Sequence, residues 1–206
     1  MMSSSRAKPR TTMLSRSVRI TRKRSVFFER PDPLELRLRT EGWGQLGVWL
    51  PPILALLVIG TESTNTFSAS NTSGWLRPLF ERIFGMFSDP LWWVLHHLFR
   101  KTGHFLGYGS VCLTFLRAWL LTLGRSMDLG TRTWRWKGCL AAIASTAAVA
   151  SLDEWHQTFL PSRTGLVSDV LLDTLGAVVT CGLVWLLCWR KTRRRDEWEP
   201  LPTFRA

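Results

Sequence analysis

The chain carries only four cysteines, Cys112, Cys139, Cys181 and Cys188, and no two stand at the close spacing of a zinc or redox pair. They read as buried thiols. Gly-rich phosphate loops, a His-Glu-x-x-His helix, a Gly-x-Ser-x-Gly nucleophile elbow and internal repeats are also missing. Any catalytic role is therefore left without a common signature. A compact signal peptide is lacking too: the first apolar segment starts beyond residue 43 and no small-residue cleavage pattern follows it, so that segment is expected to be retained. Acidic residues are few, 15 against 27 lysines and arginines, for a net charge of +12.

What the chain does hold is apolar sequence in bunches. Four stretches, Val48 to Ile59, Phe105 to Leu123, Cys139 to Leu152 and Leu166 to Trp189, alternate with charged segments. A spanning helix needs about 20 largely apolar residues. The second and fourth stretches reach that length directly, and the first and third reach it with polar flanks. Several of the 12 tryptophans, including Trp43, Trp49, Trp119, Trp155, Trp185 and Trp189, fall near the ends of these stretches, where an amphipathic ring suits the lipid interface. The expected fold is all-α: a polytopic membrane helix bundle of about four transmembrane helices with an outer amphipathic helix.

The excess positive charge is explained by its position. Residues 1–43 hold eleven Lys or Arg, the 124–137 segment holds Arg125, Arg132, Arg135 and Lys137, and the tail holds Arg190, Lys191, Arg193, Arg194, Arg195 and Arg205. By the positive-inside rule both termini and the middle loop are cytoplasmic, leaving 61–103 and 153–165 outside. This accounts for the basic residues without nucleic acid, which is not an expected partner. Residues 1–43 read as a basic, largely disordered cytoplasmic arm attracted to anionic lipid, 44–190 as the transmembrane domain and 191–206 as a basic cytoplasmic tail.

Within the domain, Pro51 and Pro52 are expected to kink the first span or mark its start. The polar run from Glu62 to Gly74 reads as an outer loop. Residues 75–87 space Trp75, Leu76, Leu79, Phe80, Ile83 and Phe84 by threes and fours, which suits a helix lying on the outer surface, interrupted at Asp89-Pro90. From Leu91 the helix either projects above the bilayer or dips into its interface. The third span is rich in small residues, from Ala141 to Ala150, that permit close helix contacts in lipid, so it is expected to pack centrally.

Polar groups recur at helical spacing. His97, Lys101, His104 and Tyr108 fall within a narrow arc of one helix face, and Asp169, Asp173 and Gly176 share a face of the last helix. Between the third and fourth spans, Glu154 and Gln157 stand one turn apart and Arg163 follows Pro161. Ionisable groups near hydrocarbon find partners or line a water-filled cavity. Lys101 and Arg163 are thus candidates to pair with Glu154, Asp169 or Asp173. That pairing alone would make the cluster structural. Alternatively the groups form a polar bowl that receives an anionic or hydrogen-bonding ligand. His104 is either a satisfied helix-end histidine or a proton carrier; His97 and His156 suit an interface, Tyr108 a packed aromatic, and Arg117 a snorkelling position.

In order along the chain, Lys101-Thr-Gly-His104-Phe-Leu-Gly-Tyr108, Glu154-Trp-His-Gln157, Pro161-Ser-Arg163 and the aspartate-bearing helix with Asp169, Asp173 and Gly176 resemble the VanZ-like family over roughly residues 45–190. The family's pattern is Lys-x-x-His-Phe-x-x-Tyr, Glu-x-x-Gln, Pro-x-Arg and an aspartate in the last helix; Gly107 stands here where many members carry an acid. The resemblance implies a multi-pass protein of the bacterial cytoplasmic membrane, in a family named for low-level teicoplanin resistance.

Three functions are weighed. The first is a module that binds a lipid-linked envelope or lipoglycopeptide ligand at the outer leaflet through Lys101, His104, Arg163 and their acidic partners, with Tyr108, Gln157, Asp169 and Asp173 completing the site. The second is an enzyme on an envelope lipid or peptide, with Glu154 or His104 as general base; a metal-dependent version would use His104, His156 and a carboxylate. The third, a proton-coupled transporter, is disfavoured by the absence of repeats. No cofactor or resident metal is expected, membrane lipids are the expected surroundings, and the oligomeric state is open.

Overall fold

The computed structural model describes residues 25–126, 129–161 and 163–190; the basic segment 1–24 and the tail 191–206 of the sequence reading lie outside them, as does Ser162 of the Pro-x-Arg turn. All regular elements among the described residues are helical: α1 (Pro33–Thr40), α2 (Gly44–Glu62), α3 (Ala69–Phe84), α4 (Asp89–Leu123), α5 (Thr131–Gln157) and α6 (Val167–Val184), which continues through a π-helical turn at Trp185–Trp189. The expected all-α bundle is what forms. Helices α4, α5 and α6 pack mutually, and α2 lies along α4.

Three of these helices, Gly44–Glu62, Asp89–Leu123 and Val167–Trp189, are long and apolar enough to cross a membrane. The third expected span, α5, has 27 residues but not the same apolarity, because Ser145, Thr146 and Ser151 interrupt its alanines and charges crowd both ends. Those hydroxyls bond back to the carbonyls of Ala141, Ala142 and Ala147 at 2.8, 2.9 and 2.8 Å, so the helix carries them without unpaired groups. Helix α5 packs against both α4 and α6, but the central position expected for it belongs to α4, which packs against α2, α5 and α6. Around this core the outward faces are apolar: Leu50, Leu54 and Leu57 on α2 and Leu171, Leu175 and Leu183 on α6 are all exposed. A soluble protein rarely shows apolar faces this continuous, and lipid covers them without cost.

Several local expectations change. Helix α2 runs unbroken from Gly44 through Pro51 and Pro52, so the prolines do not start it. They lack the N–H groups that would bond the carbonyls of Gly47 and Val48. Arg117, read as a snorkelling residue, reaches the start of α2, where its Nη1 donates to those two oxygens at 3.4 and 3.3 Å. Part of the Glu62–Gly74 loop is helical, with a 3₁₀ turn at Asn65–Phe67 and α3 starting at Ala69. Helix α3 ends at Gly85, whose φ of 89° belongs to the left-handed region that glycine enters freely. Residues 131–137, placed in a cytoplasmic loop, form the first turns of α5, and 153–157 form its last.

Within the segment read as an arm, α1 forms, Val26 is buried, and Phe27 accepts a bond from Trp189 Nε1 at 2.7 Å. Trp189 is accordingly buried instead of lying at an interface, whereas Trp43, Trp155 and Trp185 are exposed. Arg37 Nε donates to the Arg125 carbonyl at 2.9 Å, and Arg30 bonds the carbonyls of Ser126 and Leu129. These contacts gather the basic residues at the end of the bundle where α4 turns into α5.

Helix α4 is 35 residues long, about 52 Å at 1.5 Å per residue, against a hydrocarbon thickness of about 30 Å. It therefore extends past hydrocarbon as one unbroken helix. Its first turns carry α3: Trp92 Nε1 donates to Ser73 Oγ at 2.7 Å, Thr72 Oγ1 meets His96 Nε2 at 3.1 Å, and Phe80 stands edge-on to Trp92 with ring centroids 5.9 Å apart. The α3–α4 platform forms one wall of the polar end of the bundle.

Candidate functional site

The crossing of α4 and α6 sets the site. A Cβ placed on Gly176 would lie 2.4 Å from the Phe105 carbonyl oxygen, so only glycine lets the two backbones meet there. Asp173 precedes Gly176 by one turn, and His104 precedes Phe105 by one residue. The crossing thus delivers Asp173 to His104, with Nδ1 and Oδ2 3.6 Å apart. Another turn along α6, Asp169 forms an ion pair with Lys101. Of the pairings open from sequence, this is the one that Lys101 takes.

Glu154 joins from the end of α5. A Cβ on Gly165 would strike the Glu154 carbonyl oxygen at 2.2 Å, so the 158–166 connection lies directly on α5. There the Leu166 amide donates to Glu154 Oε2 at 2.8 Å. Glu154 Oε1, His104 Nδ1 and both Asp173 oxygens are buried with no hydrogen-bond partner among the described residues. Carboxylate and imidazole atoms of His104, Glu154 and Asp173 come within 4.8 Å of one another.

A second centre forms around Asp153. Its Oδ2 accepts from Tyr108 Oη at 2.9 Å and from Gln157 Nε2 at 3.0 Å, and its Oδ1 accepts from Ser63. Asp153 therefore ties α2, α4 and α5 together at one carboxylate. Gln157 and Glu154, read as neighbours on one turn, serve different centres. Tyr108 is packed, 1% exposed, and its ring stacks near that of His104 at 6.3 Å.

Among the described residues Arg163 pairs with no carboxylate. Its Nη2 donates to the carbonyls of Glu62, Thr64 and Phe67 at 2.7, 3.2 and 2.9 Å, strapping the 158–166 connection to the end of α2. Burial lowers the pKa of its guanidinium, and the charges of Asp153 and Glu154 offset this from a distance. On α3, Arg77 bonds Glu81 and Asp89, each at 2.8 Å, and the bond from Arg77 holds the Glu81 carboxyl below its ordinary pKa.

Two cavities, of about 260 and 510 Å³, open between these elements. His96, Arg100, His104, Gln157 and Arg163 line both. Arg100 Nη1 is buried with no hydrogen-bond partner among the described residues, and Arg100 borders both cavities.

The VanZ/LLP1 family pattern matches residues 48–188. The chain belongs to the VanZ/LLP1 family. Comparison with curated proteins and with solved structures returns no match. With its three apolar helices, this VanZ/LLP1 chain is a membrane protein.

All eight residues singled out in sequence lie at this end of the VanZ/LLP1 bundle, seven of them in three groups: Lys101 with Asp169; His104 with Glu154 and Asp173; Tyr108 with Gln157 through Asp153. Arg163 stands apart on its carbonyls. The sequence reading did not select Arg100, Asp153 or His96. Spacing carried a signal for two of them, since His96, Arg100 and His104 recur every four residues and define the cavity face of α4. His97 and His156 are exposed; the former stacks on Trp93 at 5.6 Å.

Proposed function

We propose that this protein binds the anionic head group of a membrane lipid or lipid-linked envelope intermediate in the joined cavities beside α3 and α4. The observation that carries the reading is Arg100: one guanidinium nitrogen is buried without a hydrogen-bond partner among the described residues, and the residue lines cavities that His96, His104 and Arg163 also line. A buried cation left uncompensated is unfavourable, and an incoming phosphate or carboxylate offsets that cost by charge-assisted hydrogen bonds. Lys101 and Arg163, already bonded, serve here as supports of the cavity wall. The apolar wall residues Ile59, Phe67, Trp75 and Phe99 suit the adjoining lipid chain.

In this reading α5 is the fourth crossing and both termini are cytoplasmic. The positive-inside rule supports it, because Arg30, Arg37, Arg125, Arg132, Arg135 and Lys137 are gathered at the end opposite the cavities. The cavities then open to the outer leaflet of the cytoplasmic membrane, where lipid-linked wall precursors and the acyl tail of teicoplanin are found. Sequestering either is a route to teicoplanin resistance.

The test is native mass spectrometry of the purified protein with a polyprenyl phosphate and with zwitterionic phosphatidylcholine. Preferential retention of the phosphate, weakened at least tenfold in Arg100→Ala and less in Arg100→Lys, supports the reading; equal retention by wild type and Arg100→Ala overturns it. Teicoplanin and vancomycin susceptibility at matched membrane abundance then decides whether binding produces resistance.

A further inference from the structure

We infer that His104, Glu154 and Asp173 form a binding site for a divalent first-row metal ion of the zinc class. The inference stands on the donor set and is independent of the lipid reading. Two carboxylates are buried here, Glu154 at 4% and Asp173 at 0% exposure, and both Asp173 oxygens and Glu154 Oε1 lack hydrogen-bond partners. Isolated buried carboxylates are costly, and they are found paired or on a metal. The two cations that the sequence would assign to them are engaged elsewhere, Lys101 with Asp169 and Arg163 with three carbonyls.

Geometry favours an ion over a direct hydrogen bond. His104 Nδ1 and Asp173 Oδ2, at 3.6 Å, are too far apart for a good bond. Two ligands each about 2.1 Å from a tetrahedral zinc are separated by about 3.4 Å, close to that spacing. The outer limit of 4.8 Å for the three donor atoms closes to coordination distances with side-chain shifts of the order of 1 Å. Charge also balances: a divalent ion with two carboxylates and a neutral imidazole sums to zero, the least costly state for a site beside hydrocarbon. Nitrogen together with carboxylate oxygen suits zinc, manganese or ferrous iron better than calcium or magnesium.

Three protein ligands leave room for a further ligand, the arrangement of open zinc sites. Of the three, His104 also lines both cavities, which places the site beside their wall. The exposed His156 takes no part, in contrast to the His104–His156 pairing considered from sequence.

The experiment is zinc titration of full-length, chelator-stripped protein in detergent against a fluorescent zinc chelator, with manganese as the second probe. The expected result is one ion per chain, with affinity weakened at least tenfold in both His104→Gln and Asp173→Asn and unchanged in His156→Ala. Bound ion also raises the thermal midpoint of wild type, an increase that chelator reverses. Absence of stoichiometric binding of either ion to wild type overturns the inference and leaves protonated carboxyls as the occupants. Binding that survives both substitutions, or is lost in His156→Ala, also overturns it. Should a variant fail to fold, wild-type stoichiometry and chelator-sensitive melting still decide. Lipid retention in the native mass measurement has no bearing on these outcomes.

Discussion

Arg117 Nη1 lies 3.3 Å from the carbonyl oxygen of Val48, the very group that Pro52 leaves without its helical donor. The neighbouring Gly47 oxygen, vacated by Pro51, receives the same nitrogen at 3.4 Å. An arginine in one spanning helix thus repairs the proline defect in another. Arg117→Ala is expected to destabilise the protein by about 1–3 kcal/mol through the unpaired carbonyls. In a Pro51→Ala, Pro52→Ala background the same change is expected to cost much less. Thermal unfolding in detergent of the four proteins measures that coupling, and additive effects would contradict it.

At the α4–α6 crossing, Gly176→Ala drives a methyl group into the Phe105 carbonyl. The expected cost is about 1–3 kcal/mol, as for an overpacked core. Because Asp173 and His104 flank the crossing, this substitution also separates them. Lower thermal stability in Gly176→Ala, but not in Gly182→Ala where a Cβ meets nothing within 4 Å, is the outcome that supports the crossing.

Asp153 joins three helices through Ser63, Tyr108 and Gln157. Tyr108→Phe removes one bond and is expected to cost about 1 kcal/mol. Asp153→Ala leaves both the tyrosine hydroxyl and the glutamine amide without their acceptor and is expected to cost more. The double variant should fall short of the sum, because the two changes remove one shared interaction.

Acid should loosen the turn between α3 and α4. Glu81 Oε1 accepts from Arg77 Nε at 2.8 Å and from the Phe87 amide at 3.4 Å, and the Arg77 bond leads the lowering of its pKa. A carboxyl whose folded pKa is depressed stabilises fully above its unfolded value, near 4.5, and that stabilisation is lost as pH falls through the folded value. Hydrogen exchange at residues 81–88 is therefore expected to be flat from pH 7 to 5, after correction for intrinsic rates, and to accelerate below about pH 4.5. Glu81→Gln should remove the transition.

Local periodicity and composition were enough to establish the apolar helices, the family motifs and the polar stripe on α4, but not α1, the helical part of the Glu62–Gly74 loop or the first turns of α5. These signals are legible because an α-helix repeats every 3.6 residues whatever it packs against. The family motifs likewise marked eight residues that gather at one end of the bundle. Partner choice was not legible. Nothing in the spacing of Lys101, Glu154, Asp169 and Asp173 says which carboxylate takes the lysine, and the Pro-x-Arg turn gave no sign that Arg163 would spend its donors on backbone carbonyls. Arg100 passed unnoticed beside Lys101 because adjacent residues differ by about 100° around a helix, and only packing decides which one enters a cavity.

The sequence by itself determined a helical membrane protein of a recognisable pattern, since hydropathy and helical spacing are properties of a continuous stretch of chain. Only the tertiary structure decided that Asp173 meets His104 and Glu154, that Asp153 binds three helices, and that Arg100 lines the cavities. Those relations depend on where Gly176 lets α6 touch α4 and where Gly165 lays its loop on α5, and such contacts between distant segments are set by packing rather than by local repeat.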